Sequence, residues 1–294
     1  MHNHDHSHGE DASSQRIGWA FFLNVGFTII EFIGGWLTNS TAIMADAVHD
    51  LGDSLSIGLS WFLSRLSRKS ASSNYSYGYR RFSLLGSLIN GVVLVVGSIW
   101  VLGEAIPRLQ DPEMPVTEGM FVLAIFGVLV NGFAAYKLSK GKSLNERVLN
   151  WHLLEDVLGW VAVLIVSIIL MFADWPILDP ILSIGFTIFI LLNVGRNLWE
   201  TIRLFLQAIP DTDLYERIHS VLSCLPDVRE LHHVHLWSLD GEHHVLTAHL
   251  VVPFSDEPEK VLKLKNRIND ELAQFDLEHT TIELEYEAEN CRDQ

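Results

Sequence analysis

Six apolar runs separated by short polar links fill the first two thirds of the chain, at about residues 17–37, 40–63, 82–106, 119–138, 149–172 and 180–206. Each is close to the roughly 20 residues a helix needs to cross a bilayer. Gly34, Gly35, Gly86, Gly91 and Gly97 suit close helix packing. The pattern changes at Pro210. Residues 211–225 are amphipathic, with Leu214, Ile218, Val221 and Leu222 as the apolar stripe. Residues 228–239 and 242–252 alternate apolar and polar like strands, with Asp240-Gly241 as a hairpin turn between them. A second amphipathic helix over 257–275 and a last strand over 280–286 complete the order αββαβ. This reads as a small ferredoxin-like domain that lacks its first strand.

The expected fold class is therefore an α-helical membrane protein with six transmembrane helices and a small α+β cytoplasmic domain. The expected segments are a disordered His-rich tail over 1–16, a transmembrane domain over 17–208 and a cytoplasmic domain over 209–294. In the tail His2, His4, His6 and His8 alternate with polar residues. Such a tract binds metal loosely or is simply an unstructured polar extension.

Lys and Arg in short links set the orientation. The link after the second run carries Arg65, Arg68, Lys69, Arg80 and Arg81, and the one after the fourth carries Lys137, Lys140, Lys142 and Arg147. The link after the third run holds only Arg108, and Arg196 and Arg203 lie toward the end of the sixth. Both termini are expected in the cytoplasm, with the chain in a bacterial inner membrane. No basic leader precedes the first run.

The formal net charge is −16, and residues 210–294 account for −12 of it, with nineteen Asp plus Glu against seven Lys plus Arg. That balance argues against nucleic acid as a partner. Two cysteines, Cys224 and Cys291, are too few for a disulfide framework.

Ionisable residues break two of the apolar runs. The second contains Asp46, His49, Asp50 and Asp53, and the fifth contains His152 and Asp156. A charged group at membrane depth costs at least about 2.5 kcal/mol, so such residues face a cavity, a partner or an ion. A single buried His or Asp serves equally well as a helix–helix hydrogen bond. Here His-x-x-x-Asp occurs twice, and residues four apart share one helix face. His49, Asp53, His152 and Asp156 thus offer four ligands to one tetrahedral ion. Asp46 either orients His49 or is solvated at the end of its run.

In the tail domain the hydrophobic pattern places Val234, Leu236, Leu246, Ala248 and Leu250 on one sheet face. A three-residue link over 240–242 puts His233 directly opposite His249 on the other face, with Cβ atoms about 5 Å apart. Glu283 and Glu285 share that face of the last strand, so His233, His249, Glu283 and Glu285 form a second candidate metal site. Its alternative is a solvated polar face. His235, His243, His244, His279 and Cys291 are weaker candidates.

The six runs, the Ala-Asp-Ala-x-His-x-x-x-Asp stretch, the second His-x-x-x-Asp and the αββαβ tail together resemble the cation diffusion facilitator family, in its zinc-transporting branch. The resemblance covers nearly everything after residue 16. It implies a homodimer that exports zinc from the cytoplasm in exchange for protons. It also implies Zn²⁺ at the site on runs two and five, and further metal in the cytoplasmic domain. Some relatives carry ligands in the link between runs two and three. Here it reads Ser-Asn-Tyr-Ser-Tyr-Gly-Tyr-Arg-Arg and offers none.

The chemistry suits that implication. Two neutral imidazoles and two carboxylates carry −2, which a divalent ion neutralises. Metal and protons compete for the same atoms, and imidazole favours zinc over magnesium or manganese. A hydrolytic metalloenzyme would want a motif such as His-Glu-x-x-His, and an ATP-driven pump a phosphate-binding loop. Neither occurs, so the chain is not expected to be an enzyme. The remaining alternative is a membrane-anchored zinc sensor or scaffold that moves no metal.

Overall fold

The computed structural model describes residues 7–67, 71–138, 144–255 and 257–291. Six long helices come first: α1 (Ser7–Thr38), α2 (Thr41–Ser67), α3 (Phe82–Ala105), α4 (Thr117–Leu138), α5 (Leu144–Phe172) and α6 (Leu178–Phe205). They are followed by α7 (Thr212–Ser223), β1 (Glu230–Ser238), β2 (His244–Val252), α8 (Pro258–Leu272) and β3 (Leu277–Tyr286). Helix α1 begins at Ser7 and so reaches back into the stretch expected to be a disordered tail. His2, His4 and His6 lie outside the described residues.

Among the described residues, four helical segments are long and apolar enough to cross a membrane: Phe82–Leu109, Thr117–Tyr136, Leu154–Phe172 and Leu178–Phe205. Helix α2 has the length, at 27 residues. Asp46, His49, Asp50 and Asp53, crowded into two turns, lower its mean hydropathy. Helix α1 carries Asn24 and Glu31.

The chain divides into two compact units, residues 1–62 with 89–198 and residues 63–88 with 199–294. In the first unit the passage from α1 to α2 is tightly specified. Asn39 takes a left-handed φ of 53°, the usual way to end a helix. The amides of Asn39 and Ser40 then donate back to the carbonyls of Trp36 (3.3 Å) and Gly35 (3.1 Å). Ser40 caps α2, its hydroxyl accepting from the Ile43 amide at 3.2 Å. Asp179, at the start of α6, receives the Ser40 hydroxyl (2.5 Å), the Thr41 amide (2.7 Å) and hydroxyl (2.8 Å) and the Ala42 amide (3.4 Å). The Ser183 hydroxyl donates to the Thr41 carbonyl at 2.9 Å. A buried carboxylate thus sits on the positive end of α2 and fixes its height against α6.

Two apolar clusters hold the rest of this unit. Phe27, Ile43, Met120, Trp160, Val163 and Leu170 join α1, α2, α4 and α5. Ala45, Val48, Leu94, Val101, Ile190 and Val194 join α2, α3 and α6. Close approach needs glycine at Gly127 of α4, where a Cβ would run into the Trp160 ring of α5.

In the second unit the sheet order is β1-β2-β3, with β1 antiparallel and β2 parallel to their neighbours β2 and β3. The parallel pair requires a crossover, which α8 supplies. Ile218, Leu222, Leu264, Ile268 and Leu272 of the two helices pack on Leu236, Leu246, Ala248 and Leu250 of the sheet. Burying each Leu or Ile contributes about 1.5–3 kcal/mol. Asp211 caps α7 by accepting from the Asp213 and Leu214 amides. Residues of the link before α3 belong to this unit: Arg80 lies 2.9 Å from Glu278 and 4.0 Å from Asp240. Tyr77 stacks edge-on with His279 at 5.7 Å.

The hairpin starts in the expected register, with Trp237 opposite Val245 and Leu236 opposite Leu246. It then departs from it. The register shifts between His232 and His235, so that two residues of β1 face one of β2. His233 sits in this bulge with φ 47°. The expected pairing of His233 with His249 is therefore corrected: His232 stands opposite His249.

Candidate metal centres

Four residues separate His49 from Asp53 on α2, which brings them to one face, and α5 supplies Asp156 from across the unit. His49 Nε2 lies 3.7 Å from Asp53 Oδ2 and 3.8 Å from Asp156 Oδ1. Donor atoms of the three residues all lie within 4.8 Å of one another. A tetrahedral zinc with arms of roughly 2.0–2.1 Å spans ligand–ligand edges of about 3.3 Å. The cluster is thus within about half an ångström of that spacing along both His49 edges. His152 is helical, one turn before Asp156 in α5, and its side chain lies outside the described residues.

The three groups are shielded unequally. Asp156 is 9% exposed, whereas His49 and Asp53 are about a quarter exposed, at 27% and 25%. A cavity of about 270 Å³ opens on His49 and Asp156, lined also by Asp46, Glu155, Gly159 and Phe186 among others. That volume admits a hydrated ion, and its walls are mainly apolar.

A second convergence lies in the other unit. His249 Nδ1 is 2.7 Å from Glu285 Oε1. His232 Nε2 is 3.1 Å from Glu285 Oε2. Cys291 Sγ lies 3.5 Å from His249 Nδ1. Donor atoms of His232, His249, Glu285 and Cys291 fall within 4.8 Å of one another. Glu283 reaches His249 Nε2 at 3.7 Å. The His233 ring centroid lies 5.1 Å from that of His249, so His233 stays beside the cluster while His232 enters it. Burial works against the charge of Glu285, but hydrogen bonds from Cys291 and His249 and the nearby His232 outweigh it. Together they hold the carboxyl below its usual range.

His232 and Cys291 are the members that strand alternation misses. The bulge that turns His232 toward His249 has no Gly or Pro to announce it. Cys291 lies beyond the end of β3, where strand periodicity says nothing of direction. The weaker candidates go elsewhere: His243 Nδ1 pairs with Asp240 at 2.7 Å, His235 is exposed and His279 meets Tyr77.

Comparison with known proteins gives a consistent result. A family model described as the cation efflux transmembrane domain matches residues 19–206, and one described as the cation efflux protein cytoplasmic domain matches residues 210–287. The zinc transporter ZitB of Escherichia coli is 33% identical over 293 residues, covering 97% of this chain and 92% of that protein. The cadmium, cobalt and zinc/H(+)-K(+) antiporter of Bacillus subtilis is 32% identical, covering 97% of this chain and 93% of that protein. The metal cation efflux system protein CzcD of Cupriavidus metallidurans is 30% identical over 97% of this chain and 89% of its own length.

Proposed function

The chain belongs to the cation efflux family and is a metal-ion transporter rather than an enzyme; on that premise we propose that it exports a divalent cation, zinc foremost, from the cytoplasm in exchange for protons. The observation that carries this reading is the meeting of His49, Asp53 and Asp156 from two helices in the transmembrane region. His152, one turn from Asp156, completes the tetrahedral set. A solvated ion enters, exchanges water for two imidazoles and two carboxylates, and cancels their charge. Release on the far side requires the same atoms to be given to protons or water. Alternating access around one fixed site then suffices for exchange.

The rest of the reading follows from the chain's pattern. Helices α1 and α2 join the four strongly apolar helices as spans, giving six, with both termini cytoplasmic and a bacterial inner membrane as the setting. The αββαβ unit is ferredoxin-like without its first strand. The parallel β2–β3 pair is what the removal of an intervening strand would leave. This domain pairs with a second copy in a homodimer and binds further zinc through His249, Glu283 and Glu285, with His232 and Cys291 beside His233. The relatives named as zinc, cadmium and cobalt transporters support zinc and its softer neighbours as cargo. Imidazole ligands agree with that choice.

Zinc flux into proteoliposomes under an imposed pH gradient tests the proposal, with the wild type compared with Asp53→Ala. Gradient-dependent flux that is lost in the variant is the expected result. Flux that survives in Asp53→Ala would overturn the site. Zinc binding without flux in the wild type would replace transport by the sensor reading.

A further inference from the structure

The α1–α2, α3–α4 and α5–α6 links gather at one end of the first unit. The Val116 amide donates to the Thr38 carbonyl at 2.8 Å, and Asp179 holds the start of α2. Tryptophan marks this end. Trp36 is 76% exposed near the end of α1, Trp100 is 45% exposed near the end of α3, and Trp175 of the α5–α6 link is exposed as well. The apolar segment Phe82–Leu109, long enough to cross a membrane, also ends here. Exposed tryptophans at the ends of such segments belong at the level of lipid headgroups.

A cavity of about 400 Å³ opens beside Trp36 and Trp100, lined also by Asn39, Met44, Glu104 and Arg108 among others. That size lies within the roughly 300–1,000 Å³ of small-molecule sites. Its two charged residues are of opposite sign and four apart, a spacing that allows pairing along a helix. They do not pair. Arg108 is drawn to the α1–α2 link, where its Nη1 donates to the Asn39 carbonyl and its Nη2 to Asn39 Oδ1, both at 2.8 Å. Asn39 in turn donates its side-chain amide to Glu113 at 2.8 Å. Among the described residues neither Glu104 nor Arg108 forms an ion pair. Glu104 is exposed and Arg108 half-buried. The guanidinium keeps further N–H donors beyond the two given to Asn39.

A single charge at the end of a span is simply solvated. Two unpaired charges of opposite sign on one cavity, at headgroup depth, fit a ligand that carries both. We propose that this cavity seats the headgroup of phosphatidylethanolamine, with its phosphate on Arg108 and its ammonium on Glu104. A phosphate suits the planar fork of a guanidinium, and a primary ammonium offers its N–H donors to a carboxylate. The acyl chains then run on along exposed apolar side chains such as Ile33 of α1 and Val96 of α3. Phosphatidylglycerol has the phosphate but no cation, so Glu104 stays uncompensated beside it. Asn39 ties Arg108 to the turn from which α2 starts, so a seated lipid steadies the same turn that Asp179 holds. A lipid here requires only that these helices lie in a bilayer, and it holds whether or not the chain moves metal.

The test uses the full chain purified in detergent, with dioleoyl phosphatidylethanolamine and dioleoyl phosphatidylglycerol added in turn. Native mass spectrometry counts the retained lipid, and thermal unfolding reads the stabilisation. The wild type is expected to bind the ethanolamine lipid about ten-fold more tightly than the glycerol lipid. Glu104→Gln, which removes an exposed charge, is expected to melt like the wild type without added lipid and to bring that ratio to about two-fold or less. Glu104→Lys is expected to reverse the preference. Glycerophosphoethanolamine, the same headgroup without chains, is expected to give no stabilisation at equal concentration. Equal binding of the two lipids by the wild type would overturn the inference, as would a preference that Glu104→Gln leaves unchanged. Stabilisation by glycerophosphoethanolamine as large as that by the lipid would overturn the lipid as occupant and give the cavity to a soluble zwitterion.

Discussion

Replacing Asp179 by Ala should disturb a site it never touches. Its carboxylate accepts four hydrogen bonds at the start of α2, two from backbone amides and two from hydroxyls, and it is 1% exposed. Hydrogen bonds to a charged acceptor contribute about 1.5–3 kcal/mol each, and a buried donor left without a partner costs about 1–3 kcal/mol. The four share one geometry and do not add. The expected loss is therefore about 3–5 kcal/mol, a size that breaking a buried polar network reaches. At about 2–4 °C per kcal/mol the melting temperature falls by roughly 6–20 °C. Asp179→Asn, which keeps one acceptor oxygen, should fall in between, and Ser40→Ala should lose only about 1 kcal/mol. Thermal unfolding of the purified protein in detergent reads all three. Because α2 carries His49 and Asp53, zinc affinity should decline in the same order. Unchanged melting in Asp179→Ala would refute the reasoning, since it would mean that water satisfies the start of α2 as well as the carboxylate does.

Three further outcomes are expected. His232→Ala should weaken metal binding by the isolated cluster around His249 about ten-fold or more, while His233→Ala changes it less; metal stoichiometry and affinity by titration check this, and the reverse ranking would restore the unbulged register. Cys291→Ser should weaken cadmium at that cluster more than zinc, because sulfur favours the softer ion; competition titrations of the two metals read the difference. Gly127→Ala should destabilise α4–α5 packing by about 1–3 kcal/mol, since the new methyl has to displace the Trp160 ring; equal melting would show that the ring moves freely.

Much of this was legible in the chain because the signals are local. Apolar runs near bilayer length mark the long helices, and α3 falls within a residue of its run. The two His-x-x-x-Asp spacings need only helical periodicity to put His49 beside Asp53. The meeting of His49 with Asp156 was inferred from the repeat, since nothing in either segment specifies the other. The cluster around His249 was half legible. Alternation placed His249, Glu283 and Glu285 correctly relative to the inner face of Ile282 and Leu284. It failed at His233, where one residue in a left-handed conformation shifts everything upstream. Alternation assumes an unbroken pleat, and a bulge costs too little to leave a mark in composition. The cap on α2 was invisible for another reason: Asp179 lies 138 residues from Thr41, and no short-range rule joins them.

The grip of Arg80 on Glu278 and Asp240 has a consequence for recombination. The two family models meet between residues 206 and 210, which invites a splice there. The compact unit that contains the sheet also contains residues 63–88, and its acidic hairpin and third strand lean on an arginine encoded far upstream. A chimera that grafts residues 210–294 onto the helices of a relative leaves Asp240 and Glu278 to whatever that relative places before its third helix. Exchange of both segments together keeps the partners matched. The heritable module is thus two pieces of sequence rather than one, and a substitution at Arg80 should be tolerated best alongside changes more than 150 residues away.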